Sequence, residues 1–202
     1  MNQSRKLNLV GMIEAAFLAA FAMVLDLLPS IKVTPFVSIS IAMIPIFLAA
    51  LRWGMKVGVL SGFLWGALQV VTGDAYILTV AQFLMEYFIA FACIGFAGLF
   101  YQKVKVSFEQ KQQTKAVLWS VVAVIVGSIA RYIWHFIAGV LFWGSYAPEG
   151  MSAVWYSFVV NGGAMIGSAV LCAAVLAVLL STSPRLVVRK AISNQAQVNV
   201  LK

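Results

Sequence analysis

Six long apolar stretches, separated by charged or turn-forming residues, take up most of this chain. Each is close to the roughly 20 residues that an α-helix needs to cross the hydrocarbon core of a bilayer. The chain is 63% hydrophobic and only 10% charged, which is typical of membrane proteins. The sequence therefore predicts an all-α integral membrane protein, a single bundle of six transmembrane helices in one domain. The expected spans are about 9–28, 36–51, 55–73, 76–101, 115–144 and 151–181, followed by a basic tail at 182–202.

The positions of the basic residues predict how these helices are oriented. Twelve of the fourteen Lys and Arg residues flank the spans on one side of the predicted bundle. They are Arg5, Lys6, Arg52, Lys56, Lys103, Lys105, Lys111, Lys115, Arg185, Arg189, Lys190 and Lys202. By the positive-inside rule this side is cytoplasmic, so we expect a multi-pass protein of the cell membrane with both termini in the cytoplasm. The net charge of +8 thus reflects topology in a lipid bilayer, and no nucleic-acid partner is expected.

The sequence offers little that enzyme chemistry could use. The spans leave no room for a soluble nucleotide-binding or catalytic module, so any energy source would have to be a partner or a gradient. There is one His, and no cluster of His, Cys and carboxylates has metal-binding spacing. No Ser or Cys is recognisably paired with a base, and no glycine-rich phosphate motif occurs. We therefore expect no catalytic residues, no metal and no cofactor.

Most of the polar and aromatic side chains of the spans lie within residues 131–161. In the fifth span, Arg131, His135, Gly139 and Trp143 follow one another at intervals of four. Because each interval advances the helix by about 40° beyond a full turn, these residues share one face. Such a face can hold an aromatic ligand by stacking and hydrogen bonds. Two structural alternatives stay open: Trp143 can belong to an interfacial aromatic belt, and Arg131 can pair with Glu86 across the bundle.

Glu86 in the fourth span is a carboxylate inside the membrane. The cost of such a group in hydrocarbon makes a functional role the default expectation. Gln82 lies one turn earlier on the same face, where it can orient the carboxylate. A carboxylate among aromatic rings favours a cationic or amine-bearing ligand. In the sixth span, Tyr156 and Asn161 offer further polar groups to the same pocket.

The combination of motifs in spans four to six resembles one known family. The residues concerned are Glu86 and Tyr87, the stretch 131–150, and Tyr156 with Asn161. Together they resemble the thiamine-specific substrate-binding (S) subunits of energy-coupling factor (ECF) transporters, the ThiT-like family. The resemblance implies a thiamine receptor in the membrane that docks onto a shared ABC-transporter module of one transmembrane coupling protein and two ATPase subunits. It implies no chemistry on the ligand.

The resemblance also implies roles for individual residues. Glu86 would hydrogen-bond the aminopyrimidine of thiamine, Trp143 would stack on it, and His135 and Tyr87 would flank the thiazolium. The implied ligand-binding set is Glu86, Tyr87, Arg131, His135, Gly139, Trp143, Tyr156, Asn161, Tyr76 and Phe36. Two of these depart from the family pattern, since Arg131 stands where a lysine is expected and Phe36 where an aromatic lid residue is often Trp.

The first span carries small residues at intervals of four, which let another helix approach closely. From the sequence alone, packing within the bundle and docking of a partner are equally good explanations. The resemblance implies that these residues form the docking face for the ECF module. They are Ala15, Ala16, Ala19 and Ala20.

Three other functions stay open at the level of the sequence. The protein can be an S subunit for another vitamin or cationic aromatic amine, or a secondary transporter. A secondary transporter ought to have more intramembrane carboxylates than Glu86 supplies. The third is a small intramembrane enzyme that uses Glu86 and His135 as acid and base. Binding of thiamine without turnover separates the receptor from the enzyme.

Overall fold

The structure, a computed structural model, describes residues 9–28, 31–34 and 37–188. In this part of the chain, six apolar helices of ten residues or more form the bundle. They are α1 (Leu9–Asp26), α2 (Ile44–Trp53), α3 (Met55–Val71), α4 (Val80–Glu109), α5 (Gln113–Phe142) and α6 (Ala153–Thr182). Helices α1, α4, α5 and α6 are long and apolar enough to cross a membrane, whereas α2 and α3 are shorter. The chain is thus an all-α membrane protein that also contains one small hairpin.

A two-stranded antiparallel hairpin precedes α2, with β1 at Ile31–Thr34 and β2 at Val37–Ile39. The sequence predicts a span at about 36–51, but the helix begins only at Ile44. The β-branched residues of β2 suit a strand. Pro45 occupies the first turn of α2, where a missing N–H costs nothing because it would have no partner inside the helix. The hairpin therefore replaces the first part of the predicted second span.

Helix α2 lies at the centre of the bundle. Seven of its ten residues are buried, and Phe47 and Leu51 have no exposed surface. It packs against α1, α3 and the part of α4 at Ile94–Phe100. Because protein surrounds most of α2, a helix of this length is accommodated without leaving much of its backbone in hydrocarbon.

Helices α3 and α4 are in backbone contact. A methyl group added at Gly62 or Gly66 would overlap the carbonyl oxygens of Phe91 and Tyr87, respectively. Small residues permit this approach where lipid offers no hydrophobic force to hold helices together. Near its contacts with Gly62 and Gly66, α4 departs from regular α-helix. It has a π-helical segment at Leu84–Ala90 and a 3₁₀ segment at Ile94–Phe100. Such π segments are frequent at functional sites, and this one contains Glu86.

The small residues of α1 divide into two faces. Ala15 and Ala19 are completely buried within the bundle, and the carbonyl of Ala15 accepts a hydrogen bond from the Ser61 hydroxyl of α3 at 2.9 Å. For these two residues the burial supports the other explanation, packing within the bundle. Ala16 and Ala20 are exposed on the outer face. Only these two of the four remain available to a partner.

Arg52 joins three segments at the end of the bundle where α1 begins. Its Nε donates to Glu14 Oε2 of α1 at 2.6 Å, and the Trp53 indole donates to the same oxygen at 2.7 Å. Its Nη1 donates to the carbonyls of Arg185 and Leu186 at 3.0 and 3.1 Å, in the turn that follows α6. Arg52 thus anchors the beginning of the basic tail predicted at 182–202. Residues 189–202 of that tail lie outside the described part of the chain.

Candidate ligand-binding site

A cavity of about 480 Å³ lies within the bundle, bounded by the hairpin and by α1, α3, α4, α5 and α6. Its volume falls in the range of pockets that enclose a small organic molecule. The lining includes nine of the ten residues in the predicted set, namely Glu86, Tyr87, Arg131, His135, Gly139, Trp143, Tyr156, Asn161 and Tyr76. The tenth, Phe36, lies outside the described residues. Separate helices thus bring the predicted residues to one place.

Glu86 is the centre of a hydrogen-bonded network. Its side chain is buried, and Oε1 accepts a hydrogen bond from the Trp143 indole of α5 at 3.0 Å. Oε2 accepts from the Gln82 amide one turn earlier, so the predicted contact within α4 is present. Two donors therefore fix the orientation of a buried carboxylate while its charge still faces the cavity.

His135 connects Glu86 with Arg131. Its Nδ1 lies 4.0 Å from Glu86 Oε1, and its Nε2 accepts a hydrogen bond from Arg131 Nε at 3.1 Å. Since Nε2 acts as an acceptor, the proton of the neutral ring is assigned to Nδ1, which faces the carboxylate. In the described structure Arg131 therefore reaches Glu86 through the imidazole and not by direct pairing. Its guanidinium lies 4.4 Å from the centre of the Phe91 ring, which gives the buried cation a favourable π face.

Three aromatic residues form one end of the cavity, which we call the aromatic end: Tyr76, Trp143 and Tyr146. The ring centres of Tyr76 and Trp143 lie 5.4 Å apart, as do those of Trp143 and Tyr146. Hydrogen bonding with the Tyr76 side chain raises the pKa of the Tyr146 phenol. The hydroxyl of Tyr87 accepts a hydrogen bond from the backbone N–H of Tyr76 at 2.8 Å, which ties this loop to α4. Trp143 thus belongs to the cavity wall and not merely to an interfacial belt.

Gly139 lies where α5 meets the polar side chains of α6. A Cβ at this position would lie 2.8 Å from the Asn161 amide nitrogen and would overlap the Ser157 hydroxyl. Ser157 donates to the Phe136 carbonyl at 2.8 Å and accepts from Asn161 at 3.2 Å. Gly139 therefore makes room for the polar side chains of α6 as well as lining the cavity. Asn161 therefore has a structural hydrogen bond to Ser157 within α6, in addition to its place in the cavity wall.

The lining also includes residues outside the predicted set, among them Asp26, Trp65, Gln69, Asp74 and Ser128. Asp26 accepts hydrogen bonds from the Gln69 amide and, at 3.4 Å, from the Ser40 hydroxyl. Gln69 was the available signal, because an amide inside a predicted span calls for a polar partner.

The described lining has more acidic than basic side chains. It includes the carboxyl groups of Asp26, Asp74 and Glu86 and one guanidinium, that of Arg131. Of the three carboxyl groups, Glu86 is buried, Asp26 is half-buried and Asp74 is exposed. His135 adds no charge in the protonation state described above. In the described residues, no group of three or more His, Cys, Asp or Glu side chains is arranged to hold a metal ion. Because the interior screens charge poorly, this cavity favours an organic cation over an anion.

Comparison with known proteins assigns the family. The family model described as thiamine transporter protein (Thia_YuaJ) matches residues 12–188. The chain belongs to this family. Its members are transporters and not enzymes, which confirms that expectation and the predicted resemblance to ThiT-like proteins.

Individual members of the family match over nearly their whole length. The thiamine transporter ThiT of Bacillus subtilis (strain 168) is 40% identical over 188 residues, which are 92% of this chain and 97% of that protein. The thiamine transporter ThiT of Lacticaseibacillus paracasei is 37% identical over 186 residues, which are 91% and 92% of the two chains. A solved structure of ThiT from Listeria monocytogenes superimposes with a TM-score of 0.87 at 40% identity, covering 90% of this chain and 98% of that one.

Proposed function

We propose that this protein is the thiamine-binding S subunit of an ECF-type ABC transporter. One observation carries the proposal: Glu86 is held by Trp143 and Gln82 at the wall of an aromatic-lined cavity that has more acidic than basic side chains. Thiamine joins an aminopyrimidine to a positively charged thiazolium. A buried carboxylate and aromatic faces are the groups that suit both of its rings.

The position of each side chain supports a specific role. Glu86 accepts a hydrogen bond from the aminopyrimidine, and Trp143 packs on that ring while its indole N–H keeps the carboxylate in place. His135 and Tyr87 flank the thiazolium. Tyr76, Tyr156 and Asn161 complete the wall, and Arg131 fixes the tautomer of His135 through the 3.1 Å hydrogen bond. Phe36 is assigned to the ligand-binding set by the family resemblance alone, since it lies outside the described residues.

The proposed route of uptake rests on the family resemblance and on the distribution of charge. The resemblance to ECF S subunits implies that two ATPase subunits supply ATP hydrolysis through a transmembrane coupling protein. The sequence agrees with this, since it contains no nucleotide-binding motif. We propose that all six helices lie in the cell membrane, with α2 and α3 enclosed by the four long ones. Both termini are cytoplasmic, as the distribution of Lys and Arg indicates. The exposed face of α1 at Ala16 and Ala20 receives the coupling protein.

Titration of the purified protein with thiamine tests the binding function. Trp143 lines the cavity, so bound thiamine should change the tryptophan fluorescence and the change should saturate below micromolar concentration. Thiamine recovered afterwards should be chemically unchanged. A titration without saturation contradicts the proposal, and turnover of the ligand would replace it with an enzyme. A Trp143→Phe variant serves as a control, because its signal should be reduced if this indole is the reporter.

A further inference from the structure

Two buried donors at the other end of the cavity have no partner in the described part of the chain. They are the Ser128 hydroxyl and the Trp65 indole N–H, and each residue is only 1% exposed. Both residues line the cavity. A buried polar group without a hydrogen bond destabilises the protein, and the great majority of such groups in folded proteins have a partner. We call this region the serine end.

The serine end lies closer to the N-terminal end of α5 than the aromatic end does. Ser128 is seven residues from His135 on this helix, which corresponds to about 10 Å along the axis at 1.5 Å per residue. His135 Nδ1 is itself 4.0 Å from Glu86. A ligand of two linked rings with a short side chain can therefore have one ring at Glu86 and the tip of its side chain near Ser128. The Arg131 guanidinium, 5.3 Å from the centre of the Trp65 ring, lies between these two levels.

The charge of the lining decides which acceptor suits the serine end. A phosphate would pair with the Arg131 guanidinium, but it would share the cavity with the buried carboxylate of Glu86 and the half-buried carboxyl group of Asp26. Repulsion between a phosphate and a buried carboxylate is poorly screened. A neutral oxygen avoids this repulsion and still pairs with a hydroxyl and an indole N–H. The donors at the serine end therefore fit an alcohol better than an anion.

We propose that Ser128 and Trp65 are specificity-determining residues that hydrogen-bond the hydroxyl of the ligand's hydroxyethyl side chain. This inference rests on the proposed function, with thiamine as the ligand and Glu86 at its aminopyrimidine. The two residues select a ligand that carries a cation at one end and an alcohol at the other. An analogue without the hydroxyl leaves both donors unpaired, which is why a site built in this way rejects it.

Calorimetric titration with two ligands tests the assignment. The ligands are thiamine and the analogue whose hydroxyethyl group is replaced by ethyl, and the proteins are the wild type, Ser128→Ala and Trp65→Phe. The wild type should prefer thiamine by at least about tenfold, the effect of 1.4 kcal/mol. Each variant should reduce this preference to about threefold or less by losing affinity for thiamine, with affinity for the ethyl analogue almost unchanged.

A matched control exists on the same helix. Ser120 is as buried as Ser128, but its hydroxyl already donates to the Ala116 carbonyl at 2.9 Å and it does not line the cavity. Ser120→Ala should keep the wild-type preference. Thiamine monophosphate provides a second arm, and it should bind the wild type more weakly than thiamine.

Each remaining result has a definite meaning. If Ser128→Ala and Trp65→Phe weaken both ligands equally, the residues are structural and the inference is wrong. Equal binding of thiamine and the ethyl analogue to the wild type also overturns it, while leaving thiamine binding intact. Tighter binding of the monophosphate contradicts the choice of an alcohol over an anion. If the wild type binds neither ligand, the proposed function itself fails.

Discussion

Replacing Glu86 with Gln removes the charge of the central carboxylate while keeping its size. The wild-type carboxylate accepts from Trp143 at 3.0 Å and from Gln82, and it faces a cavity in which we place a cationic ligand. A hydrogen bond to a charged group contributes about 1.5–3 kcal/mol, which corresponds to about 10-fold to 150-fold in affinity. The new amide also presents an NH₂ group where two donors already point. We expect Glu86→Gln to weaken thiamine binding at least tenfold.

Calorimetric titration in detergent measures this change directly. Glu109→Gln is the matched control, because Glu109 is a half-exposed carboxylate on the same helix that forms an ion pair with Lys105 at 3.7 Å. It should bind thiamine like the wild type. The reasoning fails if Glu86→Gln keeps wild-type affinity in a protein whose thermal unfolding is unchanged. In that case the buried carboxylate would have a structural role and the ligand would bind elsewhere.

Three further changes test other parts of the account. Trp143→Ala removes both the stacking face and a donor to Glu86, so thiamine affinity measured by calorimetry should fall at least about tenfold, and an unchanged affinity would exclude the indole from the site. Gly66→Ala forces a methyl group against the Tyr87 carbonyl, so it should destabilise the protein by about 1–3 kcal/mol in thermal unfolding and weaken thiamine binding in titration. A Cβ at Gly163 has open space around it in the described structure, so Gly163→Ala should change neither the stability nor the affinity. Replacing Ala16 and Ala20 with Trp should leave thiamine binding intact and abolish uptake in cells. Val170→Trp on the exposed face of α6 should leave both binding and uptake intact. Normal uptake by the α1 variant would refute the docking face.

The sequence predicts those parts of the site that depend on local geometry. Arg131, His135 and Trp143 share a face because a helix repeats after about four residues, and Gln82 reaches Glu86 for the same reason. Both features need only the assumption of a helix. The long apolar runs likewise predict α1, α5 and α6 to within a few residues of their observed ends.

The remaining features depend on which helices become neighbours. Asp26 meets Gln69 because α1 packs on α3, and neither residue has a local pattern that indicates this pairing. The overlapping small-residue intervals of α1 do not reveal that Ala15 faces inward while Ala16 faces outward. Ser128 resembles any serine of an apolar helix until its burial without a partner is known. Periodicity orders residues around one helix, but tertiary packing decides what each face meets.

Glu86 and Trp143 are proposed to hold the aminopyrimidine of a cationic vitamin inside the bundle. An experimental structure of the protein with bound thiamine would show whether they do. We predict that the aminopyrimidine lies against the Trp143 ring with a ring nitrogen or amino group within hydrogen-bond distance of the Glu86 carboxylate, about 2.7–3.2 Å. Thiamine bound outside this cavity, or a Glu86 side chain turned away from the ligand, would contradict the account.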